Sequence, residues 1–170
     1  MLNKKILSYK TRSLVTNNTV VRRSISYSEA RSIGIIFSIE DLKKHETIKK
    51  FIKQLEKDGK KTQVLAFLPK GHQNFEFLFD FFTVKDISFW GNFTASQVME
   101  FAQKPFDFLF YMDTVSNPLI KNILAMSKAR CRIGKFDDEN SAVCELMIQT
   151  TNGSTQELAS EMYRYTKLLS

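Results

Sequence analysis

The sequence predicts an α/β fold: a three-layer sandwich built on a mostly parallel, twisted sheet of five or six strands, with an antiparallel edge strand. Three observations carry this prediction. Short continuous apolar runs alternate with stretches of helical periodicity, and the first strand–helix–strand set occupies about 35 residues, the size of a βαβ unit. The chain of 170 residues is 43% hydrophobic and 25% charged, a globular composition long enough to bury one core without disulfides or metals.

Ser32-Ile33-Gly34-Ile35-Ile36-Phe37-Ser38-Ile39 is an uninterrupted apolar run rich in β-branched residues, as a strand covered on both faces requires. Asp41 then stands at an N-cap position. Leu42, His45, Ile48, Ile52 and Leu55 recur at helical spacing up to Gly59, a natural residue for the position after a helix. Lys43, Lys44, Lys49, Lys50 and Lys53, interleaved with Glu46 and Glu56, read as the solvated face of this helix, and His45 as structural. Residues 62–68 repeat the strand signature and stop at Pro69-Lys70-Gly71, a loop signal.

Residues 75–82, Phe-Glu-Phe-Leu-Phe-Asp-Phe-Phe, alternate like a strand yet stand where a short helix would suit the series, and both readings stay open. Ile87-Ser88-Phe89-Trp90 reads as a short strand closed by Gly91, and Thr94 as the cap of a helix with Val98, Met99 and Phe101 that ends before Pro105. Residues 108–112 form another buried strand, and Pro118 opens a helix that turns Leu119, Ile123, Leu124 and Met126 inward. Residues 130–134 give a fifth strand and residues 142–149 a sixth, after which Ser154 caps a helix that uses Leu158, Met162 and Tyr165. The turn Asp137-Asp138-Glu139-Asn140 is too short for a crossover, so the sixth strand is expected to run antiparallel at an edge.

Several function classes are excluded by what the chain lacks. Cys131 and Cys144 are too few for a disulfide framework, lack the paired spacing of a zinc site and read as small core residues. No secretory signal and no apolar stretch of spanning length is present, which gives the expectation of a cytoplasmic protein with no transmembrane segment. Neither a cofactor nor a metal is expected, because no glycine-rich phosphate loop, serine elbow or histidine pair occurs.

The charge is uneven. Residues 1–31 hold Lys4, Lys5, Lys10, Arg12, Arg22, Arg23 and Arg31 against the single acid Glu29, which accounts for +6 of the total +7. The expected organisation is therefore a basic N-terminal arm, 1–31, on a nearly neutral Rossmann-like α/β domain, 32–170. Such an asymmetry suggests a tether to a polyanion, although a solubilising tail fits the same composition. If helical, Leu2, Ile6 and Tyr9 would share one face, a weak stripe that also permits docking on a partner or an anionic membrane.

Ligands of open α/β sheets bind beyond the carboxyl ends of the strands, so the loops there are the candidate site. After the first strand stands Glu40-Asp41, two carboxylates that repel a diphosphate. Lys70 and His72 follow the second strand, with His72 the better placed of two histidines for acid–base work, and Trp90 closes the next candidate segment. The loop Asp113-Thr114-Val115-Ser116-Asn117, with Asp113, Ser116 and Asn117 as its candidate residues, sets a carboxylate and two hydroxyls at a helix N-terminus, which fits a ligand loop or ordinary capping.

Residues 85–93 (KDISFWGNF) and 106–134 (FDFLFYMDTVSNPLIKNILAMSKARCRIG), together with the basic arm and Ile33-Gly34-Ile35, resemble a family of short uncharacterised proteins of Bacteroidota. The second stretch is also similar to the acceptor-side domain of lipopolysaccharide heptosyltransferases, matched at Ala129-Arg130-Cys131-Arg132-Ile133-Gly134. That similarity implies a Rossmann-like half-fold and carries over no catalytic residue, because 170 residues leave no room for a nucleotide-sugar domain.

The leading expectation is a non-enzymatic cytoplasmic binding protein whose arm docks the body on structured RNA or a ribosome-like particle through Lys4, Lys5, Lys10, Arg12, Arg22 and Arg23. One rival is a small enzyme, or a degenerate glycosyltransferase-like domain, holding a small ligand at Lys70, His72, Trp90, Asp113, Ser116 and Asn117. Another is an interaction module for a larger protein partner.

Overall fold

The computed structural model describes residues 3–170. In chain order the regular elements are α1 (Lys4–Asn17), β1 (Ser32–Ser38), α2 (Leu42–Lys57), β2 (Lys61–Phe67), β3 (Asp80–Phe82), α3 (Ser96–Gln103), β4 (Phe108–Tyr111), α4 (Pro118–Met126), β5 (Cys131–Lys135), β6 (Leu146–Ile148) and α5 (Thr155–Lys167), with single 3₁₀ turns at Val84–Asp86 and Asp138–Asn140.

Local chemistry sets the helix starts. Asp41 accepts the Lys44 amide at 2.7 Å, Asn117 accepts the Leu119 amide at 2.9 Å ahead of Pro118, and Ser154 accepts the Glu157 amide at 3.1 Å. Gly59 ends the turn after α2 at φ +77°, a conformation that favours glycine. The cap of α3 is Ala95, with no side-chain bond, rather than the expected Thr94.

The six strands form one sheet in the order β3-β2-β1-β4-β5-β6, and every pairing is parallel. This is the order of doubly wound, Rossmann-like sheets, with the topological switch between β1 and β4. The expected antiparallel edge is corrected: β6 runs parallel to β5, pairing Ile133 with Leu146 and Lys135 with Ile148. Residues 142–145 are not strand. They carry the chain back across one face of the sheet, burying Val143 and Cys144, until the Glu145 amide reaches the Arg132 carbonyl at 2.9 Å. The return path is thus a ten-residue segment, 136–145, rather than the four-residue turn.

A second correction concerns the third strand. Asp80–Phe82, within the stretch left open, pairs with β2, while Ile87–Trp90 is a turn held by an isolated bridge from Ile87 to Phe93. Phe89 and Trp90 are 61% and 65% exposed, and among the described residues no neighbouring strand covers them.

Two apolar cores lie against the two faces. Leu7 of α1, Val98 and Phe101 of α3, and Ile120 and Ile123 of α4 pack on one face; Ile48, Phe51 and Leu55 of α2 and Leu158 and Met162 of α5 pack on the other. Gly34 is required by this packing, since a methyl group there would stand 2.7 Å from the Phe106 ring.

The basic leading segment is docked on the body. In α1, Thr11 accepts from Asn122 of α4 at 3.1 Å, and beyond the helix Asn18 donates to the carbonyls of Ala125 and Ser127. The two helices therefore run parallel, and the first turn of α1 sits with Pro118 at the carboxyl edge of the sheet. Residues 18–31 then pass beneath the amino edge: Arg23 donates its amide to the Arg130 carbonyl, Tyr27 to Leu169, and the amides of Arg31 and Ser32 share Asp107. Leu2 lies outside the described residues, Tyr9 is exposed, and Leu7 is the buried member of the helix.

Candidate functional site

The switch point between β1 and β4 gathers the polar groups that follow both strands. Asp113 accepts from the Ser38 amide, the Ser38 hydroxyl and the Lys44 ammonium, each at 2.7 Å. Lys44 reaches Glu40 as well, at 2.6 Å, and Asn117 donates to the Ser38 hydroxyl at 2.9 Å while its amide donates to the Tyr111 hydroxyl at 2.7 Å. The Lys44 and Asp113 side chains are each 2% exposed, so this is a buried ion pair. Burial, with the charge of Asp113 nearby, raises the Tyr111 phenol well above its ordinary range and keeps it protonated.

Lys44 corrects the reading of the α2 lysines as a solvated face. Its position was legible: Lys44, Ile48, Phe51 and Leu55 follow one another at the spacing of a single helix stripe, and all four are buried. Of the expected ligand loops, the structure brings together Asp113, Asn117 and Ser116, whose hydroxyl is buried without a partner. Lys70 and His72 stand exposed in the turn after β2, and among the described residues no hydrogen bond joins their side chains to the cluster. Apart from the Ser116 hydroxyl, the groups at the switch point are spent on one another: the α2 N-terminus is occupied by Asp41, and Lys44 is neutralised by Asp113 and Glu40.

A second constellation holds the loop before β3. His45, buried among Phe75 and Phe79, bonds to Glu76 at 2.9 Å, and the Lys49 ammonium meets Glu76 at 2.9 Å and Glu46 at 3.4 Å. His45, Glu46 and Glu76 have the donor set of a cation site, but Lys49 already places a positive charge between the carboxylates. The bonds from His45 and Lys49 lower the Glu76 carboxyl below its usual range. The cluster clamps a loop in which Glu76 and Phe77 take positive φ values of 58° and 46°.

The cations of the leading segment divide by location. Lys4, Lys5 and Arg12, with Ser8 and Tyr9, form an exposed cluster along the outer face of α1, and none of these cations has an ion-pair partner among the described residues. Lys10 bonds to Asn92 in the turn that holds Phe89 and Trp90. Gly91, at φ +74°, brings this turn against α1: a methyl group there would stand 3.4 Å from Lys10 and 3.8 Å from Leu7. The rings of Phe89 and Trp90 meet edge to face, 5.3 Å apart, beside the basic helix. Arg22 serves the fold instead, donating to the Ala129 carbonyl with its Nε 3.8 Å from Glu145. Burial, and then Arg132, pull the Arg22 guanidinium down to about 10 against the opposing pull of Glu145. Arg23 is exposed at the opposite, amino edge.

Among the described residues no helix is long and apolar enough to cross a membrane. No curated protein and no solved structure matches the chain. A family profile matches residues 3–169, nearly the whole length, and the chain belongs to that family, DUF6913, a family of unknown function.

Proposed function

We propose that this protein is a non-enzymatic binding module that docks on structured RNA, such as a ribosomal particle, through the outer face of α1 and the adjoining Phe89–Trp90 turn. The observation that carries the reading is the cationic cluster of Lys4, Lys5 and Arg12, without ion-pair partners among the described residues, on a helix without a single acid. Exposed aromatic rings beside it supply stacking surfaces for unpaired bases. An anionic membrane suits this helix less well, because an interfacial helix turns its apolar side to lipid. Here Leu7, Leu14 and Val15 are packed on the core.

The reading takes the likeness of residues 106–134 to heptosyltransferases as one of fold rather than of activity. It places the protein in the cytoplasm, where Cys131 and Cys144, both free and buried, stay reduced.

The test is fluorescence anisotropy of the full chain with a labelled RNA hairpin across a salt series, with co-sedimentation on ribosomes in parallel. Three phosphate contacts predict that K4E/K5E/R12E lowers the slope of log affinity against log salt by about 2 to 3 and weakens binding more than tenfold. Equal binding by parent and triple variant at low salt would remove the proposal.

A further inference from the structure

One flank of α1, edged by Lys4 and Arg12 of the exposed cluster, borders a groove of about 670 Å³ between that helix, the start of α4 and the segment before β6. Its rim carries three cations from distant parts of the sequence, Lys4 and Arg12 of α1 and Lys121 of α4, and hydroxyls from Ser8, Thr11 and Thr16. The groove also contains one carboxylate. Glu139, 67% exposed, stands 3.7 Å from the Lys121 ammonium.

We propose that this groove seats a backbone phosphate of the bound RNA and that Glu139 is an internal competitor for the same cation. The inference rests on the RNA-binding reading and deepens it by naming a second contact on α4. Two helices contribute cations to the rim, so a phosphodiester between them meets positive charge from both, and the Ser8 hydroxyl adds a donor, whereas the Thr11 and Thr16 hydroxyls are spent on the Leu7 and Arg12 carbonyls. Glu139 is the one group of the wrong sign, and its looseness lets it leave. An exposed ion pair is worth little, so an incoming phosphate displaces it at small cost.

Two variants away from the basic segment test the idea in the same anisotropy assay. K121Q is expected to weaken RNA binding several-fold and to reduce the salt slope by about 0.7 to 0.9, the signature of one lost phosphate contact. E139Q is expected to tighten binding roughly twofold to fivefold, the factor to which an exposed pair corresponds, and the gain is expected to vanish in K121Q/E139Q. E161Q, on α5 at the other face of the sheet, removes the same charge and is expected to change nothing. Equal tightening by E161Q and E139Q would overturn the groove, because net charge alone would then explain the effect. If K121Q and E139Q bind like the parent while K4E/K5E/R12E loses binding, the groove is wrong and the α1 reading stands. If the triple variant also binds like the parent, both fall. Sensitivity to these substitutions on anionic phospholipid vesicles but not on RNA would equally overturn the proposal.

Discussion

Asp113→Ala is the sharpest test of the switch-point architecture. The carboxylate holds three donors at 2.7 Å, and its partner Lys44 is as fully buried as it is. Truncation leaves the ammonium with Glu40 alone and strips the Ser38 amide and hydroxyl of their acceptor. Breaking a buried pair by removing one partner costs about 3 to 5 kcal/mol, because the remaining charge stays desolvated. In a domain of this size each kcal/mol moves the melting temperature by about 2 to 4 °C, so D113A is expected to melt roughly 6 to 20 °C below the parent. K44M/D113A removes the orphaned charge as well, and its loss is expected to fall at least ~1 kcal/mol short of the summed single losses. Urea unfolding followed by circular dichroism measures all four members of the cycle, provided that the urea slope is unchanged. A loss for D113A within about 1 kcal/mol of zero, or strict additivity in the double variant, would refute the claim that the pair is a coupled, buried unit.

Gly34→Ala forces a methyl group into the Phe106 and Leu109 side chains at 2.7 and 2.8 Å and is expected to cost about 1 to 3 kcal/mol in urea unfolding. Arg22→Ala removes the clip onto Ala129 and Glu145 and is expected to cost about 1 to 2 kcal/mol, with faster tryptic cleavage in residues 18–31 as the local readout. Burial pushes the Cys131 and Cys144 thiols from 9.0 up to about 12, so both are expected to resist a disulfide reagent at pH 8 in the native state and to react at once in urea. Between pH 9 and 12 the folded chain holds thiol protons that the unfolded chain has released. Stability is therefore expected to fall as pH rises through that window, and a pH series of urea midpoints in the C131A/C144A background is expected to fall less steeply.

Much of the scaffold is written in local patterns. β1, β2, β4 and β5 lie within one residue or so of the apolar runs that announce them, because buried parallel strands need continuous apolar sequence on both faces. The caps Asp41, Asn117 with Pro118, and Ser154 mark three helices through hydrogen bonds that depend on neighbouring residues alone. The rest depended on distant partners. Residues 142–145 are apolar enough to read as strand, yet Val143 and Cys144 satisfy that character against helices on one face, which leaves three residues for β6 and makes its direction parallel. Ile87–Trp90 has strand composition, and its fate as an exposed turn follows from Gly91 packing under a helix some eighty residues earlier. The charge count located the cations of the leading segment but could not sort them, because Arg22 meets Glu145, and Lys10 meets Asn92, only in the folded chain. Lys44 was hidden by its neighbours, a lysine among lysines, although its helical phase put it inside.

The seating of α1 on α4 also sets an order of events during synthesis. Thr11 and its partner Asn122 are 111 positions apart, so at about 5 to 20 residues per second the early helix waits roughly 6 to 22 s for its seat to be made. Throughout that interval Leu7, Leu14 and Val15 lack the helix that forms the main wall of their seat, and a chaperone that recognises short apolar stripes has a window on this nascent chain that closes when α4 emerges.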